Sequence, residues 1–156
     1  MARKAVKPLL FLVALLVLPG CFSSTFQSSG ILEERAAMKA RKAFYSELKK
    51  AVAEADSILV FSMERDPKKG LVLSPKKTYR KGEPGFEILT EGFLKASKVG
   101  VVARTPADRK TVLLSKGKKI YQFEHCTADR RIESEKMVNG KCGILFVSQK
   151  ASRLLL

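Results

Sequence analysis

The longest regular pattern along the chain runs from Gly30 to Asp56. Ala37, Ala40, Phe44, Leu48, Ala51, Val52 and Ala55 recur at steps of three and four residues, the period that gathers side chains on one face of an α-helix. The stretch is rich in Ala, Glu, Lys and Leu and holds no proline, a composition that favours helix. Ser28 or Ser29 stands where a cap is expected, and Glu33 and Glu34 suit the positive end of the helix dipole. A stripe made mostly of alanine lets a helix approach a sheet closely. Core packing is therefore expected, since a helix lying on a membrane would carry larger apolar residues.

Beyond Asp56 the period shortens to that of strands. Ser57 to Glu64 (SILVFSME) reads as a strand with apolar residues on both faces. A turn follows at Asp66 to Gly70, and Leu71 to Arg80 reads as a second strand that Pro75 breaks or places at a sheet edge. Phe86 to Lys98 carries both periods. Phe86, Leu89, Phe93 and Leu94 favour a short helix, with Gly100 as its stop. Val99–Arg104, Thr111–Ser115 and Lys119–His125 read as strands, with a capped turn at Thr105–Asp108 and a tight turn at Lys116-Gly117. Asn139-Gly140 is the clearest hairpin signal, joining a polar stretch that ends at Val138 to Gly143–Val147 (GILFV), the last core strand. The pattern predicts one α+β domain: a long N-terminal helix packed on an antiparallel sheet of five or six strands, with room for one further short helix.

The first residues follow a different logic. Arg3, Lys4 and Lys7 make a positive start, Leu9 to Leu18 is an unbroken run of ten apolar residues, and Pro19, Gly20 and Cys21 close the segment. This is the build of a secretory signal. The run falls short of the roughly 20 apolar residues that a helix needs to span a bilayer. Leu18-Pro19-Gly20-Cys21 resembles the lipobox of bacterial lipoproteins, in which an aliphatic residue, a small residue and Gly or Ala precede the cysteine; Pro19 stands where Ala, Ser or Thr is commoner. The resemblance covers residues 1–21. It implies cleavage before Cys21 and attachment of lipid to the Cys21 thiol. Each buried methylene adds about 0.8 kcal/mol, so two or three acyl chains make a stable anchor. Phe22 rather than Asp follows the cysteine, which by the same resemblance implies the outer membrane, facing the periplasm. Residues 1–20 are then the leader, 21–29 a lipidated cysteine and Ser-rich tether, and 30–156 the domain. The tether reaches about 25 Å when extended.

An exported chain changes the reading of the two remaining cysteines. Cys126 and Cys142, separated by 16 positions, are an even pair in an oxidising compartment, and one disulfide is expected. It would be worth about 3 kcal/mol on the chain-entropy model. His125 is the single histidine. Neighbours on a strand point to opposite faces, so His125 and Cys126 cannot act as base and nucleophile, and a surface position at the strand end is expected for the histidine. A zinc site from His125, Cys126 and Cys142 lacks a fourth ligand. The carboxylates Glu33, Glu34, Glu83, Glu87, Glu91, Glu133 and Glu135 have plain solvated-surface explanations, and there is no Gly-rich phosphate loop and no serine nucleophile elbow. No catalytic residue, cofactor or metal is expected.

Charge is the remaining signal. The chain holds 30 Lys and Arg against 15 Asp and Glu. Removing residues 1–20 takes away three cations, which leaves 27 against 15 and a net of +12. Lys76, Lys77, Arg80 and Lys81 surround Tyr79, and Arg104, Arg109, Lys110, Lys116, Lys118 and Lys119 gather around the following hairpin. The first group is the candidate anion-binding stretch. For an exported domain nucleic acid is not the expected partner. Lipid phosphates, lipopolysaccharide, acidic parts of peptidoglycan or an envelope protein are nearer to hand, and each Lys or Arg near an anionic membrane adds about 1 kcal/mol. The expected function is a membrane-anchored, non-catalytic binding or structural module. The alternative is an enzyme acting on cell-wall or lipid material. An inhibitor of lysozyme-type enzymes ranks last, because a positive inhibitor would repel its basic target.

Overall fold

The computed structural model describes residues 7–101 and 108–156, with side chains from residue 30 onward. Arg104, the turn at 105–107 and the cations of residues 1–6 lie outside the described residues. The elements are α1 (Lys7–Glu54), β1 (Ser57–Asp66), β2 (Gly70–Arg80), α2 (Pro84–Leu94), β3 (Arg109–Lys116), β4 (Lys119–Cys126), β5 (Arg131–Val138), β6 (Lys141–Phe146) and α3 (Gln149–Leu154). The chain divides into two compact units, residues 1–35 and 36–156. The first is the N-terminal part of α1. The helix expected from Gly30 forms; the side chains of Ser28 and Ser29, the expected caps, lie outside the described residues. Among the described residues, no helix is long and apolar enough to cross a membrane.

The second unit is the α+β domain. Its six strands form one antiparallel sheet in the order β2-β1-β3-β4-β5-β6. Alternation along each strand sends Ile58, Val60, Val112, Leu114, Phe123, Ile132 and Leu145 to one face, all nearly inaccessible to water. Helical residues cover that face. Phe44, Leu48 and Val52 of α1, Phe86, Leu89 and Phe93 of α2, and Ala151 of α3 complete the core. Phe123 is its centre: the rings of Phe44 and Phe93 meet it edge-on, with centroids 6.2 and 5.2 Å away. Such pairs contribute about 0.5–1.5 kcal/mol beyond their burial.

Small residues set how near the layers come. A Cβ placed on Gly143 of β6 would lie 2.4 Å from Phe44 Cβ and 2.8 Å from the Ala40 carbonyl oxygen. The backbone of α1 therefore rests directly on β6, which the alanine stripe permits. At Gly92 of α2 a Cβ would lie 2.5 Å from Ala151 Cβ, so α2 and α3 meet as closely. Two phenols fasten the layers at their margins. Tyr45 donates to the Leu94 carbonyl at the end of α2 (2.7 Å), and Tyr79 of β2 donates to the Leu154 carbonyl of α3 (2.7 Å).

The turns follow the sequence closely. Asn139 and Gly140 both take positive φ, 52° and 72°, as a tight hairpin requires. Pro75 sits on the outermost strand, beside a break in the β1–β2 register between Val60 and Phe61, where a missing amide costs nothing. Phe86–Lys98 resolves as the helix α2 followed by Ala96 and Ser97. Of the expected strand at 99–104, residues 102–104 lie outside the described residues, and Val99 and Val101 are in no strand. Both are more than four-fifths exposed, and the segment makes a single bridge, Ser97 to Phe146. Gly100 lies against the Phe146 ring.

The expected disulfide is not present: Cys126 and Cys142 are both free. The register explains it. Cys126 aligns with Arg131 and, through it, with Phe146, whereas Cys142 lies four residues along β6 and one strand further away. That offset is about 13 Å along the strand and two strand spacings across it, well beyond the Cα separation that a disulfide bridges, at most about 7 Å.

Candidate functional site

Three regions of the domain hold polar side chains close together. The first is the face of the sheet that carries no helix. Glu124 of β4 and Glu133 of β5 are cross-strand partners, and Thr111 of β3 lies directly opposite Glu124. Thr111 Oγ1 donates to Glu124 Oε1 (2.9 Å). Glu133 is gripped from both sides, by Arg109 Nη1 at 3.1 Å and Arg131 Nε at 2.5 Å, and Arg131 Nη1 reaches Asp129 at 3.4 Å. Burial pushes the Glu124 carboxyl above its ordinary range; Thr111 and Arg109 pull it back, while Glu135 and Glu133 push further. The two carboxylates thus differ in environment, one desolvated and one clamped by guanidinium groups. Their neighbours in the row, Phe61 and Ile144, are half-buried.

The second region is buried. His125 is fully inaccessible, not at the surface as its strand-end position suggested. Its phase on β4 is that of Phe123, two residues earlier, which points it into the core. Its Nε2 lies 3.1 Å from Ser152 Oγ on α3, and Nδ1 has no hydrogen-bond partner among the described residues. Burial lowers its pKa to about 4; Asp129 opposes that shift and Lys110 adds to it. A Ser–His pair of this kind invites comparison with a nucleophile and its base. With Ser152 only 4% exposed and the imidazole at 0%, no substrate reaches it, and the pair instead holds α3 to the sheet. Cys126, next along the strand, faces the other way. No group of three or more His, Cys, Asp or Glu is placed to hold a metal ion among the described residues.

The third region is positive. The stretch Lys76–Lys81 lies on the edge strand β2 and the loop after it, but its members do not converge. Lys76 is ion-paired with Glu64. Lys77 shares its phase with Tyr79, while Arg80 points to the opposite face, and Lys81 begins the loop. The Tyr79 ring is not offered for stacking, because it lies over Gly85 and its hydroxyl is committed to Leu154.

Cations do converge two strands away, at the same end of the sheet. A groove of about 380 Å³ runs between the last turns of α1 and the β3–β4 hairpin. Lys50, Lys116, Lys119 and Lys136 stand around it, with Glu47 and Glu54, over a floor that includes Ala51, Leu114 and Tyr121. Lys136 pairs with Glu47 at 3.5 Å. Lys50, Lys116 and Lys119 have no carboxylate partner among the described residues, and the Tyr121 hydroxyl has no hydrogen-bond partner there. Burial, with Glu47 adding to it, raises the Tyr121 phenol strongly, so it remains a neutral donor at any physiological pH. A second depression of about 420 Å³ beside the groove shares Glu47, Ile120, Tyr121 and Lys136 and extends to Gln122, Ser134 and Glu135. Residues 47–54, 114–121 and 136 are remote in sequence, and only the turn cations Lys116, Lys118 and Lys119 signalled the place beforehand. No family model, curated protein or solved structure matches the chain.

Proposed function

We propose that this chain is a lipid-anchored protein of the bacterial cell envelope whose domain is a non-catalytic binding module for an anionic partner. The anchor rests on the leader pattern and on Cys21. One observation carries the choice of partner: cations outnumber carboxylates two to one in the chain, and many exposed cations of the domain are left without an ion pair among the described residues. Glu47, Glu64, Glu91, Asp129 and Glu133 each hold a Lys or Arg. Lys68, Lys69, Lys77, Arg80, Lys81, Lys116, Lys118 and Lys119 are exposed and without such a partner among the described residues. An unmatched positive surface close to a bilayer attracts anionic lipid or the acidic polymers around it, at about 1 kcal/mol per side chain. The test is co-sedimentation of the Cys21→Ser chain with vesicles containing anionic lipid. Binding should fall steeply between low and physiological salt; binding indifferent to salt would refute the electrostatic reading. Intact-mass measurement of the natural protein should show added acyl mass on Cys21, and an uncut leader or an unmodified cysteine would remove the anchor.

The alternative, an enzyme acting on cell-wall or lipid material, is favoured by one observation, the unequal pair Glu124 and Glu133 on the uncovered sheet face. Both carboxylates already hold protein partners. Release of reducing sugar or fatty acid from envelope material, abolished by Glu124→Gln, would establish it.

A further inference from the structure

The groove between α1 and the β3–β4 hairpin is more specific than a positive surface requires. A surface that merely meets anionic lipid needs cations on a flat or convex face. Here the cations surround a concavity of about 380 Å³, within the range of small-molecule sites. Its contents are of three kinds. Lys50, Lys116 and Lys119 offer ammonium groups with no internal partner; Glu54 and the Lys136-paired Glu47 offer acceptors; Tyr121, Ala51 and Leu114 offer an apolar wall. The Tyr121 hydroxyl adds a neutral donor.

Each kind excludes a class of ligand. A lipid tail has no use for six charged groups around a groove open to solvent. A bare inorganic anion has no use for an aromatic wall and meets two carboxylates, so the net charge around it is +2, four lysines against two glutamates. A neutral sugar leaves three ammonium groups unmatched. A saccharide ring bearing a phosphate or carboxylate uses all three kinds. Its anionic group meets the lysines, its hydroxyls donate to the glutamates, and its C–H face lies on the tyrosine ring. We propose that this groove binds such an acidic sugar, free or as a unit of an envelope glycan. The proposal takes from the function proposed above only the sign of the ligand's charge.

The experiment is an amide chemical-shift titration of the isotope-labelled full chain in non-ionic detergent, with glucose 6-phosphate, glucose and inorganic phosphate as separate probes. Glucose 6-phosphate should give saturable shifts centred on Ala51, Ser115 and Tyr121, with glucose and phosphate each about ten-fold weaker or more. The Lys116→Ala/Lys119→Ala chain should bind glucose 6-phosphate about ten-fold more weakly while its spectrum stays dispersed. Tyr121→Phe, which keeps the ring, should weaken it less, and Lys95→Ala, at a lysine paired with Glu91 outside the groove, should leave it unchanged. Equal affinity for glucose 6-phosphate and phosphate, shifts scattered over the surface, indifference to the lysine pair, or no shifts at all would each overturn the proposal. A polymeric acidic glycan, added in a second arm, separates the sources: binding of the polymer at far lower sugar concentration than glucose 6-phosphate assigns the groove to an envelope glycan. Vesicle binding that survives the lysine pair while sugar binding is lost separates this site from the surface attraction. Failure of the sugar titration alone leaves that surface reading standing.

Discussion

Gly143→Ala asks whether the α1–β6 contact is as tight as it stands. The added methyl would lie 2.4 Å from Phe44 Cβ and 2.8 Å from the Ala40 carbonyl oxygen, closer than either atom tolerates. Neither obstacle is the tip of a side chain, so rotamer changes give no relief and the helix must lift from the strand. Overpacking of this kind costs about 1–3 kcal/mol, offset by about 0.4–1 kcal/mol because alanine stiffens the unfolded chain. The expected net loss is about 1–2 kcal/mol. For the 121 residues from 36 to 156, an unfolding entropy of about 2.1 cal/mol/K per residue turns that into a Tm lower by about 4–8 °C. Thermal unfolding followed by circular dichroism measures it. Phe44→Ala supplies the second half of the test. It keeps the Cβ in place, so it should not rescue Gly143→Ala and should add its own loss of about 3–5 kcal/mol. Gly143→Ala melting within a degree of the parent, or rescue by Phe44→Ala, would show that the helix does not rest on β6 as described.

Three other outcomes are expected of the domain. Thiol labelling of the native protein should modify the half-buried Cys142 first and reach the buried Cys126 only on unfolding, while reductant leaves Tm unchanged; a mass two hydrogens lighter than the free-thiol chain would contradict the register. His125, whose pKa falls from about 6.5 unfolded to about 4 folded, contributes stability that is complete above pH 6.5 and lost as pH falls towards 4, because the unfolded chain takes the proton first; the loss is about 3 kcal/mol. Urea unfolding from pH 8 to 4 should show this slope and His125→Leu should flatten it, and an unchanged slope in the variant would transfer the effect to carboxylates. Tyr79→Phe removes the donor to Leu154 and should cost about 1 kcal/mol, with amide exchange accelerated first in α3; uniform acceleration would deny the phenol its local role.

The fold was legible wherever one residue period or one turn chemistry acted alone. The alanine stripe, the apolar run in Ser57–Glu64, the alternation in Lys119–His125, and Asn139-Gly140 each pointed to the element that forms. Residues 86–98 carried two periods, and burial of Phe86, Leu89 and Phe93 on one side decided for helix. α3 was missed because six residues are too few to show a period; Ser148, whose hydroxyl accepts from the Ala151 amide, was the available sign. His125 could have been placed, since it continues the phase of Tyr121 and Phe123. The disulfide was misread for a different reason. Separation along the chain says nothing of how many strands lie between two cysteines, and here β5 intervenes. The groove was illegible for the same reason, being assembled from three segments that only the sheet order and the packing of α1 bring together.

The edge strand β2 has a consequence for the surface tethering proposed above. Confinement to two dimensions raises the rate at which copies meet side by side, and an unpaired strand is the place where such meetings turn into growing ribbons. β2 resists this by construction. Pro75 carries no amide donor, the register break beside it twists the ladder away from straight, and Lys77, Arg80 and Lys81 set like charge against like in any approaching copy. Crowding therefore finds no ready joining edge along β2.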